Sequence, residues 1–280
     1  MLGSAFAVLA VAAAMTAQEK AATVVVSGLP APPGVGGVIV RRADIDDEWP
    51  ANAIVFVDQE GGTVKRFPDL PPAHAASWYR KTADAFLAGR ATGRALRRAG
   101  VDVDLAPVLD SPDGPLGSRH FRRPELGVAF ARGLAAGGAG ACAKHFPGLG
   151  STAINTDFRP HVDGVVRERE LAGFRAAIRA GVPCVMTSHA FYPSIGRFRA
   201  SLEPKTYRLL RSFGFRGVTI TDSLSIVRNP PLRAWVRRAV RADVDQSAAN
   251  TVNSVPPTSG SVQRGCALSC TNQIFTAITP

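Results

Sequence analysis

The sequence predicts an α/β fold, a (β/α)₈ TIM-type barrel that is incomplete at its C-terminal end. Short apolar or β-branched runs recur along the 280 residues, and most of them are followed by a longer helical pattern. Strand, loop and helix repeated in this order imply parallel strands joined by right-handed crossovers. Such a pattern fits a closed barrel, with an open doubly wound sheet as the alternative. No Gly-x-Gly-x-x-Gly follows the first run, which disfavours a dinucleotide site there.

The individual elements follow from these runs. Seven strands are predicted at 23–27, 37–40, 53–57, 103–106, 140–143, 184–187 and 217–221, and a weaker eighth at 242–245. Helical patterns occupy 76–98, 124–137, 167–180, 204–213 and 231–241.

The two ends differ from the region between them. Residues 1–14 form an apolar run of signal-peptide length that is too short to span a bilayer. It lacks preceding positive charge but favours export to the cell envelope or beyond; without export the chain is cytoplasmic. Residues 246–280 are rich in residues that favour turns, which predicts a disordered or aberrant tail. We therefore expect one folded domain over 15–245, without the last elements that close a barrel.

Composition excludes several classes of function. The net charge is +11, but the arginines are scattered through helical segments and no basic run is interleaved with aromatic residues, so a nucleic-acid partner is not expected. Cys142 and Cys184 lie within apolar strand-like runs, which predicts small buried thiols and no bridge or metal site. Cys266 and Cys270 have no His or second Cys pair nearby to complete a zinc site.

Polar side chains leave five of the predicted strands. At the C-terminal face of a parallel barrel such groups meet at one rim, where active sites form. Carboxylates accept hydrogen bonds from sugar hydroxyls, while Lys and His donate to them, so the set predicts a hydroxyl-rich ligand. The strand-end groups are Asp58, Asp110, Lys144 with His145, Ser188 with His189, and Asp222.

Six motifs in order resemble glycoside hydrolase family 3, and most closely its single-domain bacterial β-N-acetylhexosaminidases. The resemblance covers about residues 15–245 and implies a catalytic barrel of the family's N-terminal type. The motifs are Asp-Gln-Glu-Gly-Gly-Thr-Val-Lys-Arg-Phe at 58–67, Leu-Ala-Pro-Val-Leu-Asp at 105–110, Ser-Arg-His-Phe at 118–121, Lys-His-Phe-Pro-Gly at 144–148, Met-Thr-Ser-His at 186–189 and Phe-Arg-Gly-Val-Thr-Ile-Thr-Asp-Ser-Leu at 215–224.

The resemblance implies retaining hydrolysis of terminal β-linked N-acetylglucosamine-type sugars, with turnover of cell-wall fragments as the context. Asp222 would be the nucleophile that forms a covalent glycosyl-enzyme. No metal or organic cofactor is implied, and the partner is a small carbohydrate or glycan fragment. We also expect a monomer without a stable membrane span. By the same resemblance, the groups that hold the sugar or surround it are Asp58, Arg66, Arg119, Lys144, His145 and His189.

The residues at the position expected for the general acid differ from the family pattern. The hexosaminidase branch carries an Asp-Ser-His triplet after Lys-His-Phe-Pro-Gly, in a mobile loop, whereas this chain has Asn155, Thr156 and Asp157 there. Asp157 fits the role if a closed, dry site raises its pKa. His161 is the other candidate, and a chain with no efficient acid is the third reading. A β-glucosidase or β-xylosidase specificity and a non-catalytic carbohydrate-binding remnant therefore stay open.

Overall fold

The computed structural model describes residues 25–44, 48–224, 232–247 and 274–278. The residues assigned above to a leader, Cys266, Cys270 and most of the predicted tail lie outside these ranges. The strands in chain order are β1 (Val25–Ser27), β2 (Gly37–Ile39), β3 (Ile54–Val57), β4 (Gln59–Gly61), β5 (Val64–Lys65), β6 (Val103–Asp104), β7 (Gly140–Phe146), β8 (Cys184–Thr187), β9 (Val218–Thr221) and β10 (Ile274–Ile278).

Along the chain, an α-helix comes after each of five barrel strands, β3, β6, β7, β8 and β9. The α-helices are α1 (Thr82–Arg98), α2 (Pro124–Ala136), α3 (Glu168–Arg179), α4 (Pro204–Ser212) and α5 (Leu232–Ser247), and short 3₁₀ turns occupy Arg42–Asp44, Ala76–Trp78, Gly117–Arg119 and Ala200–Leu202. None of the helices in the described ranges is long and apolar enough to cross a bilayer.

Eight parallel strands close into a barrel in the order β1-β2-β3-β6-β7-β8-β9-β10, with β10 beside β1. β4 and β5 form a separate antiparallel hairpin. The prediction of a (β/α)₈ barrel is confirmed, and all seven of the stronger strand predictions coincide with barrel strands. Because the strands are parallel, their carboxyl ends all meet at one face of the barrel, and the site is built there.

The eighth strand is not where the sequence analysis placed it. Residues 242–245 belong to α5, so the strand prediction there is wrong. Ala239 and Ala242 are buried at helical spacing, and Trp235 packs against the same apolar cluster. β10 instead pairs with β9 and β1 and occupies the place that was expected to be empty. This segment of the predicted tail is therefore a strand.

Apolar side chains from seven of the strands pack together as one cluster. It includes Phe56 on β3, Met186 on β8 and Ile220 on β9, all buried. Two members, Cys142 on β7 and Cys184 on β8, are paired in register, with a Cα–Cα distance of 4.3 Å, and are joined as a disulfide. The prediction of two separate thiols is wrong, because the register of neighbouring strands brings the two residues face to face.

The α1–α2 pair packs unusually closely because glycines line its crossing. A Cβ at Gly93 would lie 2.4 Å from the carbonyl oxygen of Leu134, and one at Gly133 would lie 2.2 Å from that of Phe86. Such distances leave no room for a side chain, so the backbones themselves are in contact. The glycines at this crossing are Gly89, Gly93, Gly133 and Gly137.

Candidate active site

A cavity of about 260 Å³ opens at the carboxyl ends of the barrel strands. Polar side chains line it together with the apolar side chains of Ile39, Leu105 and Met186. Seven of the eight residues predicted for the site lie on its wall: Asp58, Arg66, Arg119, Lys144, His145, Asp157 and Asp222. The eighth, His189, does not.

Four charged groups on one side of the cavity form a connected network around Glu60. Arg119 donates two hydrogen bonds to the Glu60 carboxylate, from Nε to Oε2 at 2.8 Å and from Nη2 to Oε1 at 2.9 Å. Lys144 Nζ lies 2.6 Å from Glu60 Oε1 and 2.7 Å from Asp58 Oδ1. Bidentate contacts of this kind fix the direction of the guanidinium as well as its position. Glu60 is not among the predicted site residues, although it lies within the motif at 58–67 and could have been selected from it.

Ion pairing keeps Lys144 and Asp58 charged although both are largely shielded from water. Burial alone would lower the pKa of Lys144, but the carboxylates of Asp58 and Glu60 outweigh it and raise that pKa. Burial alone would raise the pKa of Asp58, but the Lys144 ammonium outweighs it and holds that pKa below its usual value. The cavity therefore presents a fixed carboxylate and fixed cationic donors at neutral pH.

Arg66 reaches the cavity because Gln59 folds the β4–β5 hairpin back. The buried Gln59 amide donates to the Phe67 carbonyl and accepts from the Phe67 N–H, each at 2.9 Å. The Arg66 N–H in turn donates to the Asp58 carbonyl at 3.1 Å. The Arg66 side chain is exposed at the rim, and its charge helps to lower the pKa of Asp58.

His145 is oriented by a carboxylate that the sequence analysis left without a role. Asp110 Oδ2 lies 2.7 Å from His145 Nδ1, and Asp110 also accepts from the backbone N–H of Leu149 at 2.6 Å. Burial would raise the pKa of Asp110, but His145 and the amide donors outweigh it and lower that pKa. Because Nδ1 is engaged, Nε2 is the ring nitrogen left for a ligand.

Asp222 lies on the turn after β9 and is partly exposed to the cavity. Its backbone N–H donates to the Thr187 carbonyl at 2.9 Å, which ties the turn to β8. Its Oδ1 accepts from the Ser223 N–H at 2.8 Å. The carboxylate therefore has a defined direction and an open side toward the cavity, as attack on a bound sugar requires.

His189 supports this turn from behind and does not contact the cavity. It is fully buried, with Nε2 2.8 Å from the Ser223 carbonyl and Nδ1 2.7 Å from Ser201 Oγ. A carbonyl only accepts, so Nε2 carries the proton and Nδ1 accepts from the Ser201 hydroxyl. Burial lowers the pKa of His189, which favours this neutral form. The expectation of a sugar-binding role is therefore corrected to support of the turn beside Asp222.

The two acid candidates differ in where they lie. Both are in residues 151–165, which we call the acid loop. Asp157 is exposed at the cavity wall, and its carboxylate accepts from Asn155 Nδ2 at 2.9 Å. His161 is exposed outside the cavity, 3.1 Å from Asp163 Oδ1 and stacked on Phe191 at 4.1 Å between ring centres. In this conformation only Asp157 can reach a ligand in the cavity.

The residues 38–254 match the glycosyl hydrolase family 3 N terminal domain. A β-hexosaminidase of Stenotrophomonas maltophilia is 34% identical over 200 residues, which are 63% of this chain and 60% of that protein. A β-hexosaminidase of Neisseria gonorrhoeae is 32% identical over 232 residues, 69% of this chain and 64% of that protein. The chain thus spans less than two thirds of the length of these relatives.

Solved structures show the same architecture. A glycosyl hydrolase of family 3 from Mycobacterium smegmatis superposes with a TM-score of 0.73 at 28% identity, over 82% of this chain and 84% of that one. NagZ from Neisseria gonorrhoeae superposes with a TM-score of 0.67 at 26% identity, over 78% of each chain. Both likenesses extend over most of the barrel that carries the cavity.

Proposed function

This chain belongs to glycosyl hydrolase family 3, and from that premise we propose that it hydrolyses terminal β-linked N-acetylglucosamine-type sugars. The observation that carries the proposal is the cavity whose wall holds the Asp222 carboxylate together with the ordered side chains of Lys144, His145 and Arg119. The names of the relatives, β-hexosaminidases of two bacteria, support the choice of sugar. Fragments of the bacterial cell wall are the natural source of such sugars, and we propose them as the substrate.

In the proposed reaction, Asp222 attacks the anomeric carbon as the bond to the leaving oxygen breaks. The leaving oxygen takes a proton from Asp157, and the sugar stays attached to Asp222 as an ester. Asp157, now a carboxylate, then removes a proton from a water molecule whose oxygen attacks the anomeric carbon and releases Asp222. Configuration at the anomeric carbon is retained because it is inverted twice.

The groups beside Asp222 have a separate task in this proposal, which is to hold the sugar. The Asp58 carboxylate accepts hydrogen bonds from sugar hydroxyls, while Lys144, Arg119 and Arg66 donate to hydroxyl or carbonyl oxygens. His145 donates from Nδ1 to Asp110, which leaves Nε2 to accept from a sugar hydroxyl. All five come from strand ends or the segments next to them, and most of their charged groups are already paired. They therefore need little rearrangement when the sugar enters, which keeps the loss of side-chain freedom on binding small.

A non-catalytic carbohydrate-binding protein is the second candidate, and the exposure of Asp157 favours it. A carboxyl acts as a general acid near neutral pH when a dry environment raises its pKa. Asp157 is open to water in this structure. Catalysis therefore requires the acid loop to close over a bound sugar, and a chain that never closes would bind without turnover.

Hydrolysis of 4-nitrophenyl N-acetyl-β-glucosaminide by the purified chain tests the proposal, alongside the matching β-glucoside and β-xyloside. We expect turnover of the first substrate only, and a loss of at least about 10³-fold in kcat in Asp222→Asn. Asp163→Asn is the matched control, because its carboxylate is exposed on the acid loop away from the cavity. We expect it to keep the parental rate.

Calorimetric binding of N-acetylglucosamine separates the two candidates. Turnover that depends on Asp222 supports the enzyme, and preference for the glucoside or xyloside would change the proposed sugar. A folded chain that binds N-acetylglucosamine but hydrolyses none of the three substrates would overturn the enzyme proposal in favour of the binding protein.

A further inference from the structure

The acid loop is closed at its base by a small number of polar contacts. The Val165 N–H donates to Ser151 Oγ at 2.7 Å, which joins the two ends of the loop. Arg167 Nη1 donates to the Gly150 carbonyl at 3.1 Å, just before the loop begins. The second half of the loop is held separately, because the Gly164 N–H donates to the Phe191 carbonyl at 2.8 Å and Arg199 Nη2 donates to the Pro160 carbonyl. The position of Asp157 on the cavity wall therefore depends, on the N-terminal side of the loop, on how firmly the backbone around Gly150 is held.

Glu170, in the first turn of α3, holds that backbone from below. Its Oε1 accepts from the Gly150 N–H at 2.7 Å and from the Ser111 N–H at 3.0 Å. One oxygen thus joins the segment after β7 to the segment after β6. The side chain is 1% exposed, and its Oε2 has no hydrogen-bond partner among the described residues.

The fit around this carboxyl group is tight on the side of the loop. A Cβ at Gly148 would lie 2.5 Å from the Glu170 carboxyl carbon, and a Cβ at Gly150 would lie 2.5 Å from Glu170 Oε1. Neither position can carry a side chain while Glu170 stays in place. The glutamate therefore occupies the space that two glycines leave open, and it fixes where the chain runs into the acid loop.

A second buried carboxylate holds the same turn from the other side. Asp110 binds the imidazole of His145 and the N–H of Leu149, one residue before the amide that Glu170 binds. The two carboxylates differ in what they bind. Asp110 orients the His145 side chain, whereas Glu170 accepts hydrogen bonds from the backbone N–H groups of Gly150 and Ser111. Burial raises the pKa of Glu170, and the Asp110 carboxylate raises it further.

We propose that Glu170 is a positioning residue for the general acid: by binding Gly150 and Ser111 it fixes the base of the acid loop, so that Asp157 stands over the cavity. This inference rests on the proposed hydrolase function. Glu170 does not line the cavity that holds Asp222. Its removal should therefore weaken proton delivery and leave sugar binding and the attack by Asp222 intact.

The test compares two substrates that differ in their need for an acid. Hydrolysis of 2,4-dinitrophenyl N-acetyl-β-glucosaminide needs little protonation of the leaving oxygen, whereas hydrolysis of the 4-methylumbelliferyl compound needs more. For Glu170→Ala we expect kcat/KM, which reports the first step and excludes the later attack by water, to fall about 10²-fold on the second substrate and less than about threefold on the first. Glu170→Gln keeps an oxygen that accepts both N–H groups and should restore the parental ratio of the two rates.

Glu203→Ala is the matched control. Glu203 is also buried, at the start of α4, and its carboxylate also accepts only backbone N–H groups, those of Arg197, Phe198 and Lys205. It should lower stability as Glu170→Ala does, with no change in the ratio of the two rates. An equal fall on both substrates in Glu170→Ala, or the same change of ratio in Glu203→Ala, would overturn the assignment.

Hydrogen exchange of the backbone amides separates this inference from the proposed function. Glu170→Ala should speed exchange at 150–157, and Glu203→Ala should not. If the parental chain hydrolyses neither substrate, the hydrolase proposal fails, but faster exchange in Glu170→Ala still shows that Glu170 fixes the loop. Unchanged exchange at 150–157 in a folded Glu170→Ala variant refutes the positioning role whatever the activity. If Glu170→Ala does not fold, Glu170→Asp replaces it, since its shorter side chain cannot reach both amides.

Discussion

Replacement of Glu60 by Gln is the most direct test of the charge network in the cavity. The four groups Asp58, Glu60, Arg119 and Lys144 carry no net charge together, and Glu60 touches both cations. Gln keeps the shape and one accepting oxygen but leaves the cluster with an uncompensated positive charge. The side chains of Glu60 and Lys144 are each 2% exposed, so water cannot screen that charge.

The expected effect is large for a substitution of nearly equal size. Breaking a buried ion pair by neutralising one partner destabilises a protein by about 3 to 5 kcal/mol. Because Gln retains one accepting oxygen, we expect Glu60→Gln to lower the free energy of unfolding by about 3 kcal/mol. In a chain of this size, 1 kcal/mol corresponds to about 2 to 4 °C in Tm, so Tm should fall by about 6 to 12 °C. Release of the Lys144 and Arg119 side chains should also lower kcat/KM about 10²-fold.

The assays are urea unfolding at pH 7 and hydrolysis of 4-nitrophenyl N-acetyl-β-glucosaminide. Asp69→Asn serves as the control, because Asp69 pairs with Arg42 on the surface, where the side chains are 75% and 62% exposed. Water screens such a pair, and its loss should change stability by less than about 1 kcal/mol. If Glu60→Gln and Asp69→Asn unfold at the same urea concentration, the reasoning about the buried network is refuted.

Three further predictions concern stability. Burial raises the pKa of Asp104 to about 8, so between about pH 4 and 8 the folded chain holds a proton that the unfolded chain has lost; stability falls as pH rises through this window. Asp104→Asn should reduce the difference in unfolding free energy between pH 5 and pH 8 by about 3 to 4 kcal/mol, measured by urea unfolding, and an unchanged slope would contradict the assignment. Replacing Cys142 and Cys184 by Ala removes a bond between residues 42 apart in the sequence and should lower the unfolding free energy by up to about 4 kcal/mol. Equal Tm values of the parental chain with and without reductant would show that the disulfide does not form. Gly93→Ala should lower Tm, because the new Cβ would clash with the Leu134 carbonyl oxygen. The opposite is expected in an open helix, where Ala is more stable than Gly by about 1 kcal/mol. A raised Tm would therefore show that α1 and α2 can move apart.

The barrel was predictable because its signals are local. Each of the seven stronger strands is a short apolar run, and parallel strands place their ends at one face whatever the register. The eighth strand, Ile274–Ile278, is also a short apolar run, but it follows a long segment without periodicity and was assigned to a tail. The sequence predicts a strand at 242–245 because the burial of Ala239 and Ala242, which shows the helical period, is not visible in the sequence.

The pairings within the site could not be predicted in the same way. Glu60 and Arg119 are 59 residues apart, as are Ser111 and Glu170, and the disulfide joins residues 42 apart. Each pair depends on which strand lies beside which and on the register between them. A sequence shows that a carboxylate ends a strand, but only the closed barrel shows which cation it meets.

Under the proposed function, the division between strand ends and the acid loop would let the sugar-binding groups and the acid change separately. Asp58, Lys144 and His145 are held by strands and by buried carboxylates, so they present the same face to a sugar whether or not the loop is closed. Asp157 lies on a loop whose first half is anchored at Gly150, which Glu170 holds, and whose second half is anchored by Phe191 and Arg199. Under the proposed function, a substitution within the loop should therefore alter turnover and leave recognition intact. A carboxyl at Asp157, where the resemblance implies a histidine, would be a change of this kind, because the ion pairs of Asp58, Lys144 and His145 do not involve the loop.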